Sequence, residues 1–311
     1  KAQMQLRLTQ ANLQHSRAAT ANLLRSFLTN NVDIALVQEP HHHNGVVQGF
    51  RTKNLSVFYV KGRDKTRSCI IAKKEIKLTL ISNLCDQDTT AVKWEGKTED
   101  SRPVSGILAS VYLPYDSKDN PTLGLQKLAK EAATTEVLIG CDANAHHKLW
   151  GSSDINSRGK SLLDFISTTN LTILNVGTTP TFVTKTRSEV IDVTLASPGM
   201  SGLVGGWRVS NTPSFADHRW ICYEIKGTRT EKISVRNPRR ARWDDYASET
   251  KKHLISLADI TISSVSEVEN IVTVVTNKLV KSFETVCPAR TVRNNDQPWW
   301  NGDFTTIRTT T

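Results

Sequence analysis

The chain has 311 residues, of which 38% are hydrophobic and 23% charged, with a formal net charge of +10. That length allows one large α/β domain and a small appendage, and the composition is that of an ordinary soluble globular protein. No apolar run approaches the roughly 20 residues needed to span a membrane, the opening KAQMQLRLTQANL lacks the apolar segment of a secretory signal, and the basic balance favours phosphate-rich partners.

The start at Lys1, without Met, is read as that of a fragment excised from a larger protein. Alternation from Met4 to Leu8, followed by Gln10-Ala11-Asn12, predicts a strand running into a loop. Ala18, Ala21, Leu24 and Leu28 lie at helical spacing, and Val32 to Val37 is a continuous apolar run. Strand, helix, strand of this length indicates a layered α/β domain. Short β-like runs follow at Leu55–Val60, Ser68–Ala72, Leu78–Ile81, Ala91–Glu95 and Gly106–Leu113. A helix is predicted over Thr122–Ala133, then a strand at Glu136–Gly140 and a helix from about Lys160 to Thr168. Further strands are predicted near Thr172–Leu174, Phe182–Thr184, Val190–Ala196, Trp207–Ser210 and Arg219–Ile225. Many strands with interposed helices exclude a bundle and favour two sheets with helices outside.

The character changes after Lys226. Residues 228–242 are polar and basic and read as a linker, so the expected domains are 1–227 and 228–311. Two helices are predicted beyond it, Asp244–Leu257 and a longer one that starts at the capping box Ser264/Glu267 and runs to about Val286. The stripe Val268, Ile271, Val275, Leu279 and Phe283 marks the second as a packed surface helix. The five cysteines are odd in number, widely spaced and without a CxxC pair, which argues against a disulfide framework or a zinc site and for a reducing compartment.

Small polar clusters sit at the predicted strand ends: Asn12 in QANL, Glu39 in ALVQEP, Asp142 and Asn144 in LIGCDANAHH, Asp192 in VIDVTL, and Asp217-His218 in FADHRW. Strand ends are where α/β proteins assemble sites from distant sequence. Their joint identity matches what phosphodiester hydrolysis needs. Carboxylate and amide oxygens can hold a hard divalent cation. An Asp–His pair such as Asp192 and His218 can act on the reacting oxygens. Asp142 and Asn144 alternate, so in extended backbone they would face the same side.

The segments ALVQEP, VYLPYDS, IGCDANA, IDVT and ADH, in this order over residues 4–226, resemble the apurinic-endonuclease-like members of the endonuclease/exonuclease/phosphatase superfamily. More narrowly, QANLQHSRAAT and DANAHHKLWGSS…SRG resemble the endonuclease domains of arthropod non-LTR retrotransposons that insert into ribosomal DNA or telomere repeats, and PWWN resembles the stretch joining that domain to a reverse transcriptase. The resemblance implies a four-layered α/β sandwich, here with a C-terminal helical appendage. It also implies a Mg²⁺-dependent endonuclease, with Mn²⁺ as a substitute, that nicks double-stranded DNA. The 3′-hydroxyl it leaves would prime target-primed reverse transcription by a reverse transcriptase of the same polyprotein, so the site of action would be nuclear.

Carried over by residue, Glu39, Asn12 and Asp217 match the family's metal site. Asp142 matches the Asp that activates water or protonates the leaving group, and Asn144 the Asn that orients phosphate and water. Asp192 and His218 match the pair that contacts the phosphate, and Tyr112 the Tyr that stabilises developing charge. The segment Thr181–Ile191 should form a hairpin beside the scissile phosphate, with Thr181, Lys185 and Arg187 as DNA contacts. Two departures stand out: Ala216 replaces the family's usual Ser, and Glu189 separates Ser188 from the position it would normally occupy. His41-His42-His43 is read as solvated loop, because three adjacent side chains cannot readily converge on one ion, with a phosphate contact as the other reading; His146 belongs to the DANAHH motif of the retrotransposon branch and is read equally as a loop-packing residue. The alternatives are an abasic-site repair endonuclease, an enzyme of the same fold that attacks phosphoinositides, sphingomyelin or nucleotides, which the basic charge and the DANAH motif disfavour, and a non-catalytic DNA-binding remnant.

Overall fold

The computed structural model describes residues 5–29, 31–61, 65–98, 103–117, 120–226, 228–230, 234–257, 264–288 and 290–291. Two compact units result, Lys1–Glu231 and Lys232–Thr311. The predicted PWWN tail and Met4 lie outside the described residues.

The main strands of the first unit are, in chain order, β1 (Gln5–Asn12), β2 (Ile34–Gln38), β3 (Leu55–Phe58), β4 (Ser68–Lys73), β5 (Leu78–Leu80), β6 (Thr89–Thr98) and β7 (Pro103–Tyr112). They continue with β8 (Val137–Asp142), β9 (Thr172–Ile173), β10 (Asp192–Ala196), β11 (Val204–Val209), β12 (Ile221–Lys226) and β13 (Thr228–Thr230). One sheet has the order β11-β12-β1-β2-β4-β3, the other β9-β10-β8-β7-β6-β13 with β5 added on β6. Each sheet contains one parallel pair, β1 with β2 and β7 with β8, and is otherwise antiparallel. A parallel pair needs a crossover, supplied by helix α1 (Arg17–Leu28) in the first sheet and α2 (Leu123–Glu131) in the second.

Alternation along the strands divides the apolar residues among three cores. Leu8, Leu36, Leu108, Leu138, Trp94 and Tyr223 fill the space between the sheets. Ala35 and Val37 point the other way, onto Leu23 and Phe27 of α1. Val111, Val137 and Ile139 pack on Leu125 and Leu128 of α2 and on Leu162 and Ile166 of α3 (Ser157–Ser167). Helix, sheet, sheet, helix is the four-layered sandwich that the resemblance implies.

Four elements differ from the sequence expectation. β1 continues through Asn12, because Gln10 and Asn12 find partners across the sheet gap (Gln10 Nε2 donates to the Cys141 carbonyl at 3.1 Å). β6 and β7 outrun the apolar runs Ala91–Glu95 and Gly106–Leu113, since main-chain pairing persists through polar residues as far as Lys97 and Pro103. A short helix, α4 (Pro198–Leu203), was not expected; Glu136 fixes its start by accepting from Met200 N at 2.6 Å.

Toward the edge where the parallel strands end, the gap between the sheets turns polar. Gln38 donates to Ser110 Oγ and to the Gly140 carbonyl, both at 3.0 Å. Ser110 Oγ donates to Val37 O at 2.7 Å, and Thr194 Oγ1 donates to Gln10 Oε1 at 3.1 Å. Gly140 leaves room for this, since a Cβ there would lie 3.0 Å from Gln10 Oε1.

In the second unit, α5 (Trp243–Leu254) and α6 (Val265–Val286) pack through Trp243, Tyr246 and Phe283. Ser264 caps α6 by accepting from Glu267 N at 3.3 Å. Arg236 donates to the Glu284 carbonyl at the end of that helix at 2.9 Å. No helix among the described residues is long and apolar enough to cross a membrane.

Thr228–Thr230, read from sequence as linker, pairs with Thr98, Lys97 and Gly96 as an edge strand. All three cores lie within the first unit. A fragment ending at Glu231 should therefore melt cooperatively, with a Tm within a few degrees of the full chain. A fragment ending at Lys226, which lacks the edge strand, should be the less stable of the two by differential scanning calorimetry.

Candidate active site

The two parallel pairs bring their C-terminal ends to one edge of the sandwich. In the second sheet, Tyr112, Asp142 and Asp192 are register partners in a single row. In the first, Asn12 lies opposite Gln38, one residue before Glu39. Across the gap, Asn12 Nδ2 donates to Asp142 Oδ2 at 2.7 Å and to Glu39 Oε2 at 2.9 Å. Asn12, Asp142, Asp192 and His218 are 1–4% exposed. Glu39, Tyr112, Asp142, Asn144 and His218 line one cavity of about 330 Å³.

His218, just before β12, directs Nδ1 at Asp192 Oδ2, 2.9 Å away. Burial works against charge on this imidazole, but Asp192, and behind it Asp142 and Glu39, raise its pKa to about 9. The ring is thus a cation at neutral pH. The Asp142 carboxyl is pushed up to about 7, first by burial and then by the adjacent Asp192. It can hold or release a proton near neutrality. The Tyr112 phenol, which hydrogen-bonds Glu39, is raised by burial and by the charges of Glu39 and Asp142 and stays protonated.

Asn144 does not continue the strand. Its φ of 46° folds the backbone so that its own N–H reaches Asp142 Oδ1 at 3.2 Å, and the two residues line one cavity through this turn rather than through strand alternation. Its side chain donates to Leu113 O, and Arg158 Nε holds its carbonyl at 3.1 Å. Glu39, Gln14, His15 and Phe215 also have positive φ. Such residues cost about 1–3 kcal/mol each and persist only where contacts hold them. Here Glu39 N donates to Arg67 O at 2.9 Å, and Gln14 N donates to Asn12 Oδ1 at 2.8 Å.

Asp217 is exposed and reaches the cluster through Gln14: its N–H donates to Gln14 Oε1 at 2.7 Å, and Gln14 Nε2 donates to its carboxylate at 3.1 Å. Sequence reasoning missed Gln14, although it lies inside the QANLQH segment. At the Ala216 departure, Ser214 Oγ donates to the Ala216 carbonyl at 2.8 Å and so ties the loop to itself.

Phe182–Val183 and Ser188–Glu189 form the expected hairpin, with Lys185 exposed at its tip. Thr181 is not placed to touch DNA as the sequence reading had it. It is fully buried, and its Oγ1 accepts from the amides of Ile191 at 3.1 Å and Asp192 at 3.2 Å, which positions β10. Arg187 leans back from the tip into the cavity. The His41–His43 stretch is not simply loop: His42 and His43 pair with Val46 and Val47, and the His42 ring meets His15 edge-on.

Three carboxyl groups, Glu39, Asp142 and Asp192, thus surround one buried imidazolium. Hard oxygen donors with an excess of negative charge suit a hard divalent ion. Ligand atoms of Asp142, Asp192 and His218 lie within 4.8 Å of one another. Because the cationic ring is committed to Asp192, the Glu39–Asn12 side fits an ion better.

A family described as endonuclease-reverse transcriptase matches residues 107–222. The chain is 28% identical over 163 residues to the RNA-directed DNA polymerase from mobile element jockey of Drosophila funebris, and the match takes in 51% of this chain but 17% of that protein. Among solved structures, the endonuclease domain of TRAS1, a telomere-specific non-LTR retrotransposon, superposes with TM-score 0.63 at 28% identity, covering 72% of this chain and 99% of that one. The catalytic domain of Xenopus laevis APE2 shares the fold with TM-score 0.55 at 11% identity, over 73% of this chain and 94% of its own.

Two outcomes follow from the geometry. Thr181→Val keeps the volume but removes the acceptor for two buried amides. It should cost about 1–3 kcal/mol of stability by urea denaturation and lower activity through Asp192. Separately, the pKa of His218 is higher folded than unfolded, so its contribution is complete below about 6.5 and lost as pH rises through about 9. In chelator, the urea midpoint of the wild type should therefore fall across that window, and His218→Asn should flatten the fall.

Proposed function

We propose that this chain, an endonuclease domain of the apurinic-endonuclease-like, non-LTR retrotransposon family, nicks one strand of duplex DNA by phosphodiester hydrolysis with Mg²⁺ as its ion. The observation that carries this reading is the bridge from Glu39 through Asn12 to Asp142, beside the buried Asp192–His218 pair. A divalent ion held on the Glu39–Asn12 side would supply neutralising charge to the phosphate oxygens; Mn²⁺ has the same oxygen preference and should substitute.

The chain's own groups do the rest. His218, its Nδ1 committed to Asp192, has its Nε2–H left to donate to a phosphate oxygen. Asp142, with its raised pKa, takes a proton from water or gives one to the departing 3′-oxygen. Tyr112 donates a hydrogen bond where charge develops. Asn144, its backbone locked by Asp142 and Arg158, orients the phosphate. The exposed Lys185 at the hairpin tip would meet the DNA backbone, and Arg187 joins it from inside the cleft. The 3′-hydroxyl left at the nick is the primer a reverse transcriptase needs. The jockey relative, itself an RNA-directed DNA polymerase, supports a polyprotein that carries both activities, and we propose that it acts in the nucleus.

Glu39→Ala should lower nicking of supercoiled plasmid in Mg²⁺ by about 100-fold or more while DNA affinity changes little. Activity within threefold of wild type would remove Glu39 from the metal site. Asp192→Asn and His218→Ala should each be severe, and the double variant little worse than the worse single, because the pair acts as a unit. Losses that multiply would show independent roles.

A further inference from the structure

His146 makes two contacts that loop packing does not require. Its Nδ1 lies 2.5 Å from Asp154 Oδ1, and its Nε2 lies 2.6 Å from Arg187 Nη2. A guanidinium can only donate, so Nε2 must be the bare, accepting nitrogen and the proton must sit on Nδ1, toward the carboxylate. Asp154 therefore sets the tautomer that lets the ring receive Arg187.

The mount is rigid. His146 is 8% exposed. Its N–H donates to Asn156 Oδ1 at 3.1 Å, and its carbonyl accepts from Asn156 N at 3.2 Å. Asn156 Oδ1 also caps α3 through Gly159 N at 2.7 Å. A Cβ on Gly159 would fall 1.8 Å from the His146 carbonyl oxygen, so only glycine allows the approach. On the hairpin side, Arg187 lies over the Phe182 ring, 5.9 Å from its centroid. Arg187 and His146 line the same cavity as Asp142 and His218.

We propose that His146 is a positioning residue that, with Asp154, holds the Arg187 guanidinium at the mouth of the active site as a phosphate clamp. This rests on the nuclease reading above and adds to it. The ring takes up one guanidinium N–H and leaves others for the oxygens of a DNA phosphate. The hairpin, already joined to the loop that follows β8 where Glu189 accepts from Ser153 N, thereby gains a second tie to that loop at Arg187. Binding and chemistry are then aligned by one side chain: a DNA phosphate seated on Arg187 has a fixed offset from the oxygen that His218 addresses.

The test uses the full chain in single-turnover nicking of a plasmid substrate, with Arg187→Ala, His146→Phe, His146→Gln and the Arg187→Ala/His146→Phe double variant. Phe keeps the ring volume but has no acceptor. Gln supplies an amide oxygen that can accept from the guanidinium. We expect Arg187→Ala and His146→Phe each to lose about 10-fold to 100-fold in rate at saturating DNA, with Tm unchanged. The double variant should match the worse single, and His146→Gln should retain more activity than His146→Phe. A His146→Phe variant as active as wild type, or losses that multiply in the double variant, would overturn the assignment while leaving the nuclease reading intact. A wild-type chain that cuts no duplex would overturn the reading on which it rests.

Discussion

Two carboxyl groups, Asp142 and Asp192, stand side by side in one row of a sheet with almost no access to water. Desolvated like charges at this spacing repel strongly, and most of what surrounds them answers that repulsion. His218 enters as the counter-charge, Asn12 turns its amide hydrogens toward Asp142 and Glu39, and Asp142 moves its pKa to near 7. A proton or a cation held in the cluster offsets this repulsion, so the same arrangement suits a hard divalent ion.

Behind this row, the polar gap between the sheets acts as the foundation. Gln10, Gln38 and Ser110 each donate to a main-chain carbonyl of the opposite sheet, and side-chain bonds Gln38–Ser110 and Thr194–Gln10 cross the same gap. Apolar side chains would fill the same space with less directional constraint. Hydrogen bonds fix the offset of the two sheets, and hence the Asn12–Asp142 distance, on which the site depends.

The sheet assignments and the strand-end polar clusters were legible because apolar runs and the acids that end them are local signals. β2 and β8 show this best, each a continuous buried run closing on a carboxylate or its neighbour. What the sequence hid was non-local or conformational. Gln14 bridges Asn12 and Asp217 from 203 residues away from the latter. Asn144 adopts a left-handed backbone that no alternation pattern reveals. Thr181 looked like a surface residue of a basic hairpin, yet it is wholly buried, because the two amides it serves, of Ile191 and Asp192, lie at the start of a strand that begins eleven residues later. His146 looked like filler because its partners, Asp154 and Arg187, lie on two different segments.

The hairpin also bears on how such a domain could acquire a new address. Its two stems carry the parts that serve the active site: Thr181 buried at one end, Arg187 on His146 and Glu189 accepting from Ser153 N at the other. At the turn, Lys185 and Thr186 are free of such duties, whereas Thr184 Oγ1 accepts from Arg187 N at 3.0 Å and helps to seat that stem. If the hairpin meets DNA as proposed, changes of sequence that leave the catalytic strand seated are confined to a handful of turn positions and to insertions between them. An exchange of the whole hairpin would carry off the fittings of the catalytic strand with it.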